Sequence, residues 1–156
     1  MTLELVGDRE LQVTREFNAP CALVFEAYSD CQHLMQWWGP RTFPLAYCDI
    51  DFRPGGTWHY CMKGPNGEEA WGLATYVDIE RPSRIVYKDA FSDENRNEKP
   101  PISLITLTLE ERGERTVLSM HARYDSPSDR DTVIEMGMEE GLAQTLDKLE
   151  EHLATR

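Results

Sequence analysis

The stretch that decides the expected fold is SDRDTVIEMGMEEGLAQTLDKLEEHL, residues 128–153. Ser128 stands three residues before Asp131, which is the spacing of a capping box at the start of a helix. Apolar and small residues then recur at helical spacing along one side. They are Ile134, Met138, Gly141, Leu142, Thr145, Leu146, Leu149 and Leu153. The pattern predicts one continuous helix of about 26 residues and roughly 39 Å, long enough to cross a small domain.

Most of the chain before this helix alternates apolar and polar residues with a period of two, which is typical of strands. The first strand, residues 10–17, is followed by two short helices, the second of which ends at Gly39-Pro40. Six further strands follow, joined mainly by short turns, so a sheet of seven strands is expected. Consecutive strands favour antiparallel pairing with the helices on one side. The sequence therefore predicts a single α+β domain over residues 7–155.

One amphipathic helix cannot fully cover a curved sheet of this size. Gly137 and Gly141 lie where bulky residues would otherwise fill the space between helix and sheet. The strands meanwhile carry large residues on their predicted inward faces. These are Trp58, Tyr60, Trp71, Leu73, Met120 and Tyr124. The pattern favours a pocket lined by aromatic rings with polar tips, and the alternative is that the rings fill the space.

The segment MQWWGP, residues 35–40, places two tryptophans side by side. Neighbouring residues on a helix point about 100° apart, so one buried surface accommodates only one of them. We expect one of Trp37 and Trp38 to be buried and the other to border the pocket. The predicted ligand-binding residues are therefore Trp37, Trp38, Trp58, Tyr60, Trp71, Leu73, Met120, Tyr124, Met138 and Leu142.

Composition and charge argue against several classes of function. The formal net charge is −12 with dispersed basic residues, and such a field repels nucleic acid and anionic membranes. No segment approaches the ~20 apolar residues of a membrane span. The N-terminus also lacks the basic start and apolar run of a signal peptide. We therefore expect a cytoplasmic protein that binds neither nucleic acid nor membrane.

The cysteines are spread along the first part of the chain at Cys21, Cys31, Cys48 and Cys61. Their spacing offers no CxxC pair and no clustered Cys/His set of the kind that holds zinc. We expect four reduced thiols, with a metal or redox site as the alternative. No metal and no organic cofactor is predicted.

Candidate catalytic groups are sparse. We find no Ser/His/Asp or Cys/His set in which nucleophile, base and orienting group are evident, so the catalytic residues of any activity stay unassigned. Asp49 and Asp51 would share one strand face as a carboxylate pair, and an ion pair with Arg53 is the alternative. The histidines are expected at exposed positions (His33, His59 and His121) or near the helix end (His152).

Several of these segments together resemble a known family. They are FNAP, VFEAYSD, QWWGP, RPGGTW, GPNG, IERPSRIVY and EEGLAQTLDKLEEHL, spread over residues 10–154. The set is similar to the activator-of-heat-shock-protein-90-ATPase homologue family of the START-like (SRPBCC, Bet v-like) superfamily. The resemblance implies a helix-grip fold, in which a curved antiparallel sheet wraps around a long C-terminal helix with a hydrophobic cavity between them. Family members often carry tryptophan after the helix glycine, whereas this chain has Leu142, which would enlarge the cavity.

The resemblance does not imply one function, since superfamily members bind lipids, sterols, polyketides or hormones and some are cyclases or dehydratases. The leading prediction is a protein that binds a small hydrophobic or aromatic molecule in the cavity. One alternative is a cyclase, hydrolase or dehydratase acting on an aromatic or polyketide-like substrate. Another is a co-chaperone-like regulator of a chaperone ATPase. A symmetric homodimer is also compatible with the base rates for soluble proteins.

Overall fold

The computed structural model describes residues 1–156 and contains one antiparallel sheet and four helices. The α+β helix-grip architecture is confirmed, with eight strands instead of the expected seven. The additional strand is Thr2–Val6, which pairs with Glu10–Phe17 at one edge of the sheet. In chain order the elements are β1 Thr2–Val6, β2 Glu10–Phe17, α1 Cys21–Ala27, α2 Cys31–Trp37, β3 Leu45–Ile50, β4 Thr57–Lys63, β5 Glu69–Glu80, β6 Arg84–Phe91, β7 Lys99–Arg112, β8 Arg115–Tyr124, α3 Pro127–Glu135 and α4 Met138–Leu153.

The sheet has the strand order β1-β2-β8-β7-β6-β5-β4-β3 and is open, with β1 and β3 as its edges. Register shifts interrupt the regular pairing between Leu45 and Tyr47, between Tyr76 and Asp78, and between Ala90 and Phe91. Such irregularities bend a strand and reverse the face on which the following residues lie. The bent sheet forms the concave wall against which the helices pack.

The C-terminal helix is not continuous, contrary to the sequence prediction. Residue Gly137 has φ +87°, a left-handed conformation that ends α3 and begins α4. The helix start also differs from the predicted capping box, because the Ser126 hydroxyl, rather than Ser128, accepts a hydrogen bond from the Asp129 amide at 3.1 Å. Pro127 then occupies the first helical turn, where its missing N–H costs nothing.

The second half of α4 packs into the main apolar core. Leu146, Leu149 and Leu153 are almost fully buried. They belong to one cluster with residues of α1, α2 and the central strands. We call this region, centred on these three leucines, the packed half of the helix–sheet interface.

Two cysteines form a disulfide, which corrects the expectation of four reduced thiols. Cys31 at the start of α2 is bonded to Cys48 in β3, while Cys21 and Cys61 are free and buried. The two bonded residues are 17 positions apart in sequence, and only the packing of α2 on β3 brings their Cα atoms to 5.7 Å. None of the four helices combines the length and the apolar composition needed to cross a bilayer.

Candidate ligand-binding site

A cavity of about 320 Å³ lies between the inner face of the sheet and the junction of α3 with α4. Its roof comes from the helices and consists of Val133, Met136, Gly137, Met138, Gly141 and Leu142. Because the chain turns at Gly137, the two helices do not continue the close packing seen further along α4. We call this region the open half of the interface.

The side wall is the segment that follows α2. Trp38, Gly39 and Pro40 line the cavity. Pro40 lies close to Gly141, since a Cβ placed on that glycine would be 3.4 Å from the proline Cγ. The Lys148 ammonium donates a hydrogen bond to the Gly39 carbonyl at 3.1 Å, which fixes the wall to α4.

The two adjacent tryptophans divide their roles as the spacing predicts. The Trp37 side chain is fully buried, and its indole N–H donates to the Ala27 carbonyl at 3.0 Å. Trp38 is half-buried and borders the cavity. Its ring meets those of Trp58 and Tyr60 edge-on, with centroids 4.7 and 5.9 Å away. Trp37 therefore anchors α2, while Trp38 provides wall surface.

The floor is formed by inward-facing side chains of β4, β6, β7 and β8. It includes Tyr60, Tyr87, Asp89, Ile105, Met120 and Tyr124. A smaller lobe of about 100 Å³ adjoins the cavity over Gly72 and Ser103. Tyr60, Asp89 and Tyr124 line both lobes and thus lie where the two spaces meet.

Gly72 makes room for the polar end of Tyr60. A Cβ built on this glycine would lie 2.3 Å from the Tyr60 Cζ and 2.4 Å from its hydroxyl oxygen. Any side chain at position 72 would therefore displace the phenol. The two residues are register partners across β4 and β5, so the sheet itself sets this arrangement.

Asp89 is the one charged side chain that lines either lobe. The strand register places it in a row with Ser103 on β7 and Tyr124 on β8. It is half-buried and makes no hydrogen bond or ion pair within the chain, so its free oxygens are available to the cavity. Burial raises the pKa of the carboxyl group from 3.8 to about 7.

The surrounding phenols remain protonated near neutral pH. Burial is the main cause that raises the pKa of Tyr124 to about 12 and the pKa of Tyr60 well above its ordinary value. Each phenol can therefore donate or accept a hydrogen bond beside Asp89. The site combines apolar walls with one carboxyl group and several hydroxyl groups.

Most of the predicted lining residues meet at the cavity. The larger lobe is bordered by Trp38, Tyr60, Met120, Tyr124, Met138 and Leu142. Trp37 and Trp58 belong to the core behind this wall. Trp71 borders only the smaller lobe, and Leu73 borders neither lobe.

The predicted inward orientation of Trp71 and Leu73 is wrong. They pair with Cys61 and His59, so they share the outer face of the sheet, and the Trp71 ring stacks on His59 at a centroid distance of 5.0 Å. The shift between Tyr76 and Asp78 reverses the alternation within β5. Ile79 pairs with Ile85 and faces inward. Because the shift lies before Ile79, odd-numbered residues earlier in β5, such as Trp71 and Leu73, face outward.

The other candidate groups lie away from the cavity. Asp49 pairs with Arg96, and Asp51 pairs with Arg53 at 2.8 Å, so the carboxylates serve exposed ion pairs instead of a catalytic pair. His59 is buried, not exposed, and its Nε2 lies 2.8 Å from the Asp93 carbonyl.

The remaining histidines are also paired. His33 is buried and not on the surface, and its Nδ1 lies 2.9 Å from Nε2 of His152. His121 is half-buried instead of exposed, with its Nε2 2.7 Å from a Glu10 carboxylate oxygen. No group of three or more His, Cys, Asp or Glu side chains is arranged to hold a metal ion.

Asp89 was missed by sequence reasoning, although its strand carried a usable signal. In RIVYKDAF, residues 84–91, Ile85, Tyr87 and Phe91 alternate on one face, and Asp89 occupies the remaining position of that face. A carboxylate at such a position is an ionisable group on an inward face, and such groups often mark a functional site.

One protein-family model covers most of the chain. The family model described as Activator of Hsp90 ATPase homolog 1-like protein matches residues 18–154, which include every residue that lines the cavity. No curated protein matches the chain in sequence.

Solved structures of related proteins share the fold. A protein from Arthrobacter aurescens is 27% identical, with a TM-score of 0.92 over 99% of this chain and 92% of that chain. One from Mycobacterium smegmatis is 29% identical, with a TM-score of 0.88 over 97% of this chain and 94% of the other. The AHSA1 protein from Silicibacter pomeroyi is 23% identical and has a TM-score of 0.74 over 94% and 98% of the respective chains, which shows the fold alone.

Proposed function

The chain belongs to the Activator of Hsp90 ATPase homolog 1-like family, and we propose that it binds a small, largely apolar molecule in the cavity between the sheet and the α3–α4 junction. The observation that carries the proposal is the cavity itself. Its 320 Å³ lies within the usual range of ligand pockets, about 300–1,000 Å³. Aromatic and methionine side chains supply apolar surface, while Asp89 and the phenols can orient a polar substituent.

A neutral environment-sensitive dye such as Nile red tests the proposal. We expect its fluorescence to rise on binding and to fall when apolar competitors are added. The Leu142→Trp variant fills the roof of the cavity and should lose binding. Leu104→Trp is the matched control because Leu104 is exposed on the outer face of the sheet. Equal dye binding by wild type and Leu142→Trp would contradict the proposal.

Asp89 also favours a second candidate, an acid–base enzyme. A carboxyl group with a pKa of about 7 can both take and give a proton at neutral pH. In a dehydration, the carboxylate would take the proton from the carbon beside a substrate carbonyl and return it to the hydroxyl that leaves as water. Turnover that disappears in Asp89→Asn, while Nile red still binds, would identify this activity.

The family description also names activation of a chaperone ATPase. ATP hydrolysis by heat-shock protein 90, measured with and without the chain, separates that role from ligand binding. We expect hydrolysis to remain unchanged. Stimulation that persists in Leu142→Trp would assign a chaperone function independent of the cavity.

A further inference from the structure

We propose that the cavity selects organic amines, binding a protonated amino group at Asp89 between its two lobes. The inference rests on the proposed ligand-binding function and adds the chemical class of the ligand. It rests on three observations: Asp89 lines the cavity, no basic residue does, and Asp89 lies where the two lobes meet.

The only charged residue that lines the two lobes is acidic. No lysine, arginine or histidine borders either lobe, and Asp89 is the only group there that ionises near neutral pH. An anionic ligand such as a fatty acid would find no cation to replace its lost hydration, so its burial would be costly. The net charge of −12 further attracts cations and repels anions.

The unpaired state of Asp89 also points to a ligand that donates hydrogen bonds. A carboxylate shielded from bulk water gains most from a charged donor, and the half-buried Asp89 has none within the chain. A protonated amine supplies both a positive charge and up to three N–H donors. The carboxylate lies at the meeting point of the lobes, so an amine bonded there can extend apolar groups into either space.

Aromatic residues line the two lobes that meet at Asp89, and they favour a cation as well. Six aromatic residues line one or both lobes: Trp38, Tyr60, Trp71, Tyr87, Phe91 and Tyr124. The faces of such rings attract cations, an effect that strengthens when the cation is shielded from water. The carboxylate and the aromatic rings therefore both favour a positively charged ligand.

The titration of Asp89 gives the inference a second readout. The titratable groups facing it are phenols, which stay neutral near neutral pH: Tyr60 from β4, Tyr76 from β5, Tyr87 from β6 and Tyr124 from β8. From β7 the register partner is Ser103, and the lining residues of α3 and α4 are uncharged. The charge at the site between pH 6 and pH 8 is thus set by Asp89 alone.

Isothermal titration with naphthylmethylamine, naphthylmethanol and naphthoate tests the inference, since the three probes share one ring system. At pH 8 we expect the amine to bind at least about 10-fold more tightly than the alcohol, and the carboxylate to bind weakest. Asp89→Asn should remove the preference for the amine, so that amine and alcohol bind the variant with similar affinity. In wild type, the amine should bind about 10-fold more weakly at pH 6 than at pH 8, because Asp89 is then protonated.

The outcomes separate the two proposals. Equal binding of amine and alcohol at pH 8, or an amine preference that is undiminished at pH 6 or in folded Asp89→Asn, overturns amine selection and leaves the cavity as a binding site. Absence of binding by every probe and by Nile red overturns the ligand-binding function itself. The pH series uses wild type only, so the inference stays testable even if the variant misfolds.

Discussion

The two halves of α4 face the same sheet and meet it differently. In the packed half, Leu146 and Leu149 are fully or almost fully buried among aliphatic and aromatic neighbours. In the open half, Met138 and Leu142 are only partly buried and border the cavity. One helix therefore supplies both core and binding surface.

The difference shows how a small domain can keep a cavity and still fold stably. A void in a core forfeits packing contacts and destabilises the fold. Here close packing is concentrated at one end of the helix, where α2, the disulfide and Trp37 also lie. The open half can then remain incompletely filled. Four predictions test this division, in order of decreasing effect.

Truncating a leucine in each half should give very different losses of stability. We expect Leu149→Ala to lower the free energy of unfolding by about 4 kcal/mol, since a fully buried leucine leaves a new void. Leu142→Ala should cost less than about 1 kcal/mol, because its side chain already borders open space. Urea denaturation measures both. Equal losses would show that the open half is packed in solution.

Removing the disulfide should cause the second-largest loss of stability. The loop it closes separates Cys31 and Cys48 by 17 residues, for which loop-closure entropy is worth about 3 kcal/mol. Cys31→Ser combined with Cys48→Ser should lose about that much stability and still bind Nile red. Thiol titration of the denatured wild type provides the control: it should find two thiols before reduction and four after it. Four thiols before reduction would refute the bond.

Neutralising Asp89 should stabilise the chain at high pH. Its folded-state pKa of about 7 exceeds the ordinary value of 3.8, so folding favours the protonated carboxyl group. That contribution is complete below about pH 4 and is lost as the pH rises to about 7. Asp89→Asn should therefore match wild type at pH 4 and exceed it by about 2 kcal/mol at pH 8, less than the full shift implies because cavity water solvates one side.

The exposed Asp131 offers a control for this pH effect. Asp131→Asn should change stability by less than about 0.5 kcal/mol at either pH, since its side chain lies mostly in solvent. A gain for Asp89→Asn that is equal at pH 4 and pH 8 would rule out titration of the carboxyl group as its cause.

The alternation of apolar and polar residues predicted which side chains face inward on strands that pair without a register shift. In β8, Met120 and Tyr124 face inward as expected, because no register shift interrupts that strand. In β5, the shift after Tyr76 reverses the faces, so Trp71 and Leu73 could not be placed from parity alone. A bulge leaves little trace in composition, which is why the same rule succeeded on one strand and failed on another.

The site was harder to predict than the fold because it depends on contacts distant in sequence. Asp89, Ser103 and Tyr124 become neighbours only through strand register. The disulfide likewise depends on α2 folding back onto β3. By contrast, helical geometry was sufficient to predict that one of Trp37 and Trp38 is buried and the other borders the cavity, although only the structure shows that Trp37 is the buried one.

The smallest expected effect concerns the two helix glycines, which the sequence presented as equivalent gaps. Gly137 has φ +87°, so Gly137→Ala should cost about 1 kcal/mol through backbone strain, although no atom would clash with the new Cβ. Gly141 has ordinary helical geometry, and its new Cβ would meet only the Pro40 ring at 3.4 Å. Gly141→Ala should thus stabilise α4 by up to about 1 kcal/mol. Thermal denaturation of the two variants should shift in opposite directions. Shifts of the same sign would contradict the left-handed conformation of Gly137 or the helical conformation of Gly141.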